Sequence, residues 1–170
     1  MNQTEKIQTA KAVISWAITL WICKVFLFSL PYKFTNHPDT QYIFGTIGQW
    51  MEGILGAGLG GWFATSGAYV VGSFELLTSI VLLLPVLLWV AAKIGLGCSA
   101  GVRARFHSIG GLMASMVMAG AVFFHLFTPL GVEVLHQGKG DGGSLFKAAV
   151  SILVLGIVLF LINSRGRQSA

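Results

Sequence analysis

The segment Tyr69–Ala92, YVVGSFELLTSIVLLLPVLLWVAA, decides the fold of this chain. It is apolar over its whole length and carries a single charged side chain, Glu75. About 20 predominantly apolar residues are enough for an α-helix to cross the hydrocarbon core of a bilayer. The segment therefore predicts a transmembrane helix. We expect Pro85 to kink this helix rather than break it, because spanning helices tolerate proline where neighbouring groups supply hydrogen bonds.

Three further segments have the same character. The predicted transmembrane spans lie at about residues 11–31, 69–92, 108–128 and 146–163. The chain of 170 residues is 55% hydrophobic and 10% charged, and its mean hydropathy is +0.78. These values differ strongly from those of a soluble domain. We expect an all-α fold in which residues 1–170 form one integral membrane domain, a bundle of four transmembrane helices in contact with the lipid bilayer.

The basic residues predict the orientation of the bundle, because cytoplasmic loops carry an excess of lysine and arginine. Seven of them flank the spans on one side: Lys6, Lys11, Lys93, Arg103, Arg105, Arg165 and Arg167. Three lie on the other side: Lys33, Lys139 and Lys147. Both termini are therefore expected in the cytoplasm, with the chain in the bacterial cytoplasmic (inner) membrane. The net charge of +5 does not indicate nucleic acid as a partner, because no basic helix or arginine-rich face carries it.

Two outer connections follow from this topology. The first, residues 32–68, is long, and its stretch Tyr42–Glu52 is apolar but too short to span. We expect an interfacial helix or a strand-like flap there. The glycine-dense stretch Leu55–Gly61 is expected to be flexible, and it lacks the preceding strand and following lysine of a phosphate-binding loop. The second connection, Gln137–Ser144, is expected to be a plain flexible loop.

Three ionisable side chains are the strongest functional signal. Lys24, Glu75 and His125 lie one in each of the first three spans, and the predicted topology places all three in the outer half of the bilayer. Ionisable groups at membrane depth are costly, so they indicate a functional site by default. Lys24 also argues against a cleaved signal peptide, because it interrupts the first apolar run and no small-residue cleavage site follows.

Small residues accompany two of these groups at helical spacing. Gly72 and Ser79 share a helix face with Glu75, and Gly111 and Ser115 belong to a bundle-seam pattern that ends at His125. Small side chains allow transmembrane helices to approach closely. We therefore expect these four residues to lie at helix–helix contacts.

Two interpretations of the ionisable residues remain open. In the structural one, Glu75 accepts a hydrogen bond from Lys24 or His125, and the group fixes the register of the helices. In the functional one, Glu75 and His125 line a pocket open to the outer side that binds a polar headgroup, a quinone or a protonatable ligand. Lys24 either snorkels towards the interface or serves as the counter-charge of Glu75.

Cysteine and metal chemistry find little support in the sequence. The predicted topology separates Cys23 from Cys98, and no Cys-x-x-Cys motif is present. The four histidines fall on both sides of the membrane without the spacing of metal ligands. The methionines of Met113–Met118 are expected to fill gaps between helices. We expect no metal site.

Three short motifs resemble the DoxX-like family of small four-helix membrane proteins. Gly72–Leu77 looks like that family's Gly-x-x-Glu-Leu signature, Phe28–Phe34 is similar to its first-helix exit, and Phe123–His125 is similar to its third-helix region. The resemblance implies a four-helix fold with Lys33, Glu75 and His125 as site residues. It also implies company with redox enzymes, since family members include small membrane subunits of thiosulfate:quinone oxidoreductases.

Three functions follow as hypotheses. The first is an accessory membrane subunit of a quinone-linked redox system, with quinone as the expected ligand, a protein partner or homo-oligomer, and no standalone catalysis. The second is a non-catalytic assembly or scaffold protein that holds a partner. The third is a small transporter or lipid-handling protein, for which the sequence lacks the inverted repeat and broken helices typical of transporters.

Overall fold

The computed structural model describes residues 2–93 and 102–164. These residues form five α-helices and one antiparallel pair of short strands: α1 (Gln3–Phe34), α2 (Pro38–Leu55), α3 (Ala57–Lys93), α4 (Val102–Phe127), β1 (Leu135–His136), β2 (Lys139–Gly140) and α5 (Ser144–Ser164). Four of the helices, α1, α3, α4 and α5, are long and apolar enough to cross a membrane. The prediction of an all-α chain with four such helices is confirmed. Cys98, Arg165 and Arg167 lie outside the described residues.

The four long helices form a ring. α1 packs on α3 and α5, and α4 also packs on α3 and α5. Ser15 in the first half of α1 contacts Asn163 near the end of α5, so the start of α1 and the end of α5 lie on the same side of the bundle. We call this side, where Arg103 also lies, the terminal end. The opposite side, where α1 ends and α2 begins, is called the hairpin end.

Apolar side chains fill the bundle and also cover it. Ile22 and Phe26 of α1, Leu82 of α3, and Ile152 and Leu159 of α5 are all buried to within 1% of full burial. Large apolar side chains are also exposed along the outward faces of all four helices. A helix that is apolar on every side is suited to a membrane and not to water. The chain is therefore an integral membrane protein that contacts a lipid bilayer.

α4 and α5 pack closely through small residues. A Cβ atom on Gly111 would lie 2.7 Å from the carbonyl oxygen of Gly156, and one on Gly156 would lie 2.5 Å from Ser115 Oγ. Ser115 Oγ is within hydrogen-bonding distance of the carbonyls of Gly111 (2.9 Å) and Leu153 (3.2 Å). Gly111 and Ser115, two of the expected packing residues, thus lie where the two backbones approach most closely.

The first connection is helical instead of a flexible loop. α2 contains the stretch Tyr42–Glu52, which the sequence left open between a helix and a flap. α3 begins at Ala57, well before the predicted start at Tyr69, and Gly56 alone separates it from α2. Gly56 has a φ of 89°, a conformation that favours glycine. The glycine-dense stretch is therefore a turn followed by the first residues of α3, and the prediction that it would be flexible was wrong.

Close packing explains why Gly60 of this stretch is helical. A Cβ atom on Gly60 of α3 would lie 2.6 Å from the carbonyl oxygen of Gly48 of α2, and one on Gly48 would lie 2.6 Å from the Cβ atom of Ala64. The helical length of α3 is about 55 Å, whereas the hydrocarbon core of a bilayer is about 30 Å thick. The first part of α3 therefore extends beyond the apolar span as the partner of α2. We call α2 and residues 57–68 the α2–α3 hairpin.

The second connection is also more ordered than predicted. The β1–β2 strands lie within it, and Asp141 follows them as the cap of α5. The Asp141 carboxylate accepts hydrogen bonds from the backbone N–H groups of Val134, Gly143 and Leu145 at 2.8–3.0 Å and from the Ser144 hydroxyl at 3.2 Å. Partial burial opposes ionisation, but these donors outweigh it, so the pKa of Asp141 is lowered.

Candidate functional site

The hairpin end holds a buried ion pair between α1 and α3. Lys33 Nζ lies 2.7 Å from Glu75 Oε2 and 2.8 Å from Ser29 Oγ, and Ser29 Oγ lies 2.7 Å from the same Glu75 oxygen. The Glu75 side chain is 4% exposed and the Lys33 side chain is 15% exposed. These three groups form a closed triangle, which we call the Ser29–Lys33–Glu75 network.

The number of protons available limits the bonds in the network. The Lys33 ammonium donates to both Ser29 and Glu75. Ser29 Oγ lies 2.7 Å from both Glu75 Oε2 and the Phe26 carbonyl oxygen. Because the hydroxyl has one proton, Ser29 donates to one of these acceptors at a time. Among the described residues, Lys33 keeps one unused N–H and Glu75 Oε1 accepts no hydrogen bond. The network therefore has one donor and one acceptor left for a ligand.

Local sequence spacing brings these groups together. Ser29 and Lys33 are four residues apart on α1 and so share a helix face. Gly72, one turn before Glu75, allows α1 to approach, since a Cβ atom there would lie 3.4 Å from Lys33 Cβ. Ser79, one turn after Glu75, is buried and donates its hydroxyl to the Glu75 main-chain carbonyl at 2.9 Å. Gly72 and Ser79, the other two expected packing residues, both lie on the α3 face that meets α1.

Lys24 does not belong to the network. At about 100° per residue, the separation of nine positions places Lys24 and Lys33 on opposite faces of α1. Lys24 is exposed on the outside of the bundle, with Nζ 5.8 Å from the centre of the Trp21 ring. The counter-charge of Glu75 is Lys33, so the prediction that Lys24 or His125 would pair with Glu75 was wrong. A cation–π contact contributes about 0.5–2 kcal/mol, less than the roughly 2.5–3.5 kcal/mol that a lysine costs near the centre of a spanning helix.

His125 lies at the hairpin end but is bonded elsewhere. Its side chain is mostly buried, and Nδ1 lies 2.7 Å from the Gly131 carbonyl oxygen. A carbonyl can only accept, so Nδ1 carries the proton of this hydrogen bond. Within residues 2–93 and 102–164, no hydrogen bond or ion pair joins His125 to Glu75 or Lys33. His125 thus anchors the segment that follows α4, and Lys33 and Glu75 are the two predicted site residues that the fold brings together.

An apolar groove lies between α1 and α3, one helical turn from Glu75, and opens to the outside of the bundle. Its volume is about 300 Å³, and it is lined by Leu27, Ser79, Ile80, Leu83, Val86 and Leu87. Ser79 belongs both to this lining and to the face that carries Glu75. The groove therefore runs along the α1–α3 contact from one turn beyond Glu75 towards the terminal end. We call it the α1–α3 groove.

A second polar cluster lies at the terminal end. Asn163 Nδ2 donates to Ser15 Oγ at 2.9 Å, and Arg103 donates to Asn163 Oδ1 at 3.4 Å. His107, one turn after Arg103, is fully buried against the Trp16 ring, with ring centres 4.5 Å apart. Neither nitrogen of the His107 ring has a hydrogen-bond partner in the described part of the chain.

The two polar clusters are separated by apolar packing. Fully buried Ile22 and Leu82 and nearly fully buried Phe26 lie between them along α1 and α3. Ser29 and the terminal cluster were missed by the sequence analysis, although Ser15 and Asn163 stand out as polar residues at the edges of apolar runs.

Metal binding receives no geometric support from the described residues, where no three His, Cys, Asp or Glu side chains are grouped to hold an ion. Cys23 is buried, with Sγ 3.9 Å from the Ser79 carbonyl oxygen.

Comparison with known proteins found no protein family, no curated protein and no solved structure that matches this chain. The site therefore has to be interpreted from its own chemistry.

Proposed function

We propose that this chain is an accessory membrane subunit of a quinone-linked redox system, and that the Ser29–Lys33–Glu75 network binds the polar head of a membrane-soluble quinone. The observation that carries the proposal is a buried ion pair that lies one helical turn from an apolar groove on the outside of the bundle. A ligand with a polar head and a long apolar tail fits both parts. It would reach them from within the bilayer.

The unused hydrogen-bonding groups match the two redox forms of such a ligand. The free N–H of Lys33 donates to a quinone carbonyl, and Glu75 Oε1 accepts from the hydroxyl of the reduced form. The electrons come from the redox enzyme that this subunit accompanies, so the network supplies binding and proton transfer alone. This division of labour makes the chain an accessory subunit and not a standalone enzyme.

The resemblance to the DoxX-like family supports this function, since the residues that carry it include Lys33 and Glu75. We place the chain in the bacterial inner membrane, with the terminal end in the cytoplasm and the hairpin end outside. The excess of basic residues at the terminal end supports this orientation. In this arrangement the α2–α3 hairpin lies at the outer surface, with α2 as the interfacial helix.

Ligand retention tests the proposal. The full chain is purified in a mild detergent from quinone-containing membranes, and lipid-soluble compounds bound to it are quantified by mass spectrometry. We expect the wild-type chain to retain quinone and the Glu75→Gln variant to retain at least about tenfold less. The amide is uncharged and has a single oxygen, so it cannot both accept from the quinol hydroxyl and pair with Lys33 as the carboxylate does. Glu52→Gln is the matched control, since Glu52 is exposed at the tip of the hairpin.

Two results would overturn the proposal. One is a wild-type protein without quinone after purification from such membranes. The other is equal retention by wild type and Glu75→Gln when both elute as single species of the same size.

A second function, membrane assembly or scaffolding, is favoured by a specific observation. Glu75 Oε2 already accepts from Lys33, with Ser29 in contact, so the network is able to fix the α1–α3 register without a ligand. In that case Glu75→Gln lowers thermal stability in detergent while the lipid extract of the wild type contains no enriched quinone. The same purification therefore separates the two functions.

A further inference from the structure

Lys24 occupies an unusual position for a charged residue. It is the one charged side chain between Lys11 and Lys33 in the sequence, and it is exposed on the outside of α1. Along the helix it lies about 20 Å from Lys11 and about 14 Å from Lys33. Among the described residues, no carboxylate lies within ion-pair distance of its ammonium group. A cation therefore faces lipid well inside the apolar part of the span.

The side chain points away from the nearer interface. Helical side chains lean towards the amino end of their helix, and Lys24 Nζ accordingly lies over the ring of Trp21, one turn earlier. Trp21 is itself fixed, because its indole N–H donates to Ser151 Oγ of α5 at 3.1 Å. To snorkel to the nearer interface, the Lys24 side chain would have to turn back towards Lys33. The ammonium therefore lies next to Trp21, the side chain that joins α1 to α5 through Ser151. We call the line of contact between α1 and α5 the α1–α5 seam.

α1 and α5 pack less extensively along the seam than α4 and α5 do along their contact. Towards the terminal end the seam widens into a groove of about 370 Å³ lined by Lys11, Val158, Leu161 and Ile162. A further helix could therefore lie against both α1 and α5, from Trp21 down to the Lys11 groove.

We propose that the α1–α5 seam docks a transmembrane helix of a partner protein, and that this helix carries an aspartate or glutamate that pairs with Lys24. Charge complementarity decides the occupant, since a cation exposed inside the bilayer requires an anion at the same depth. A lipid headgroup does not meet this requirement, because its charge lies at the interface.

A second copy of this chain does not meet it either. The chain has six acidic residues, and Glu75 is the one within the predicted spans. Glu75 is buried and already paired with Lys33. The other five lie outside the predicted spans: Glu5, Asp39, Glu52, Glu133 and Asp141. The partner is therefore a different protein.

This inference rests on the accessory role in the proposed function, but not on quinone binding. It is tested with the full chain in phosphatidylcholine liposomes and a labelled, otherwise Leu/Ala transmembrane peptide that carries one central glutamate. Association is measured by energy transfer. We expect the glutamate peptide to bind about tenfold more tightly than the same peptide with glutamine, and Lys24→Met to abolish this difference.

A relocated lysine serves as the matched control. Met116 is 68% exposed on the outward face of α4, so Lys24→Met combined with Met116→Lys keeps a lipid-facing cation but removes it from the seam. We expect this double variant to show no preference for the glutamate peptide. A restored preference would overturn the seam as the docking site, and equal binding of both peptides to the wild type would overturn the ion pair.

The natural partner provides the second test. A membrane protein that copurifies in stoichiometric amount must contain an acidic residue in a spanning helix. Its copurification must be lost with the Lys24→Glu variant. It must be restored when the acidic residue of the partner is changed to lysine in the same experiment. Failure of docking at the seam can be distinguished from failure of the proposed function. Quinone retention is measured on the same Lys24→Met protein, and it should remain at the wild-type level. A disulfide-trapped homodimer across the seam would contradict the proposal.

Discussion

The Ser29–Lys33–Glu75 network shows how one residue position sets the chemistry of a membrane site. A buried carboxylate is stable when a cation and further hydrogen bonds compensate its lost hydration, and here Lys33 and Ser29 do so. Glu75 could be identified from the sequence because it interrupts an apolar run. Lys33 was named through the family resemblance, but its pairing with Glu75 was not predicted. The predicted span ended at Pro31, whereas α1 continues through this proline to Phe34 and turns Lys33 towards α3. The exact end of a helix, and hence which lysine faces inward, depends on packing that a single sequence does not contain.

The ion pair predicts strong non-additivity between substitutions. Glu75→Leu leaves the Lys33 ammonium buried without its counter-charge, and Lys33→Met does the converse, so each should lower the free energy of unfolding by about 3 kcal/mol. The double variant removes both charges and should cost clearly less than the sum of the two single changes. Thermal or denaturant unfolding in one detergent measures the cycle. Additive single effects would mean that the two side chains do not stabilise each other.

Among the elements, the α2–α3 hairpin departs most from the expectation based on sequence. Its glycines indicated a flexible loop, because glycine costs about 1 kcal/mol per residue in a helix relative to alanine. Tertiary contact reverses this preference where two helices pass too closely for a side chain, as at Gly48 and Gly67. By contrast, Gly111 and Ser115 were identified correctly as packing positions, because they lie within an apolar run whose helical spacing is evident. The same residue type is thus informative inside a recognisable span and misleading outside it.

Two neighbouring glycines of α2 should therefore respond in opposite ways to the same substitution. In Gly48→Ala the new methyl group meets Ala64 at 2.6 Å, so the helices must separate, and we expect a loss of about 1–3 kcal/mol of stability. In Gly45→Ala the methyl group meets nothing within 4 Å, and the better helix former should be neutral or stabilise by up to about 1 kcal/mol. Circular dichroism during heating in detergent compares the two. Equal effects would show that α2 does not pack on α3 through Gly48.

At the scale of the whole molecule, the four apolar runs were sufficient to predict four long helices, because the thickness of a bilayer sets their minimum length. An even number of spans also places both ends of the chain on one side, in agreement with the contact between Ser15 and Asn163. Which side faces the cytoplasm depends on charge, not on packing. The terminal end carries five basic residues in the described part of the chain, namely Lys6, Lys11, Lys93, Arg103 and Arg105. At the hairpin end Lys33 is neutralised by Glu75, which leaves Lys139 and Lys147.

This asymmetry predicts which cysteine a membrane-impermeant maleimide reaches in intact cells. Two exposed glutamines provide a matched pair, Gln8 in the first turns of α1 and Gln41 in α2, and each is changed to cysteine in a chain that carries Cys23→Ser and Cys98→Ser. We expect Gln41→Cys to be labelled from outside and Gln8→Cys to be labelled after permeabilisation alone, because the positive side of the bundle stays in the cytoplasm. The reverse pattern would place the Ser29–Lys33–Glu75 network in the cytoplasmic half of the bilayer. A quinone bound there, as proposed for this network, would exchange its protons with the cytoplasm.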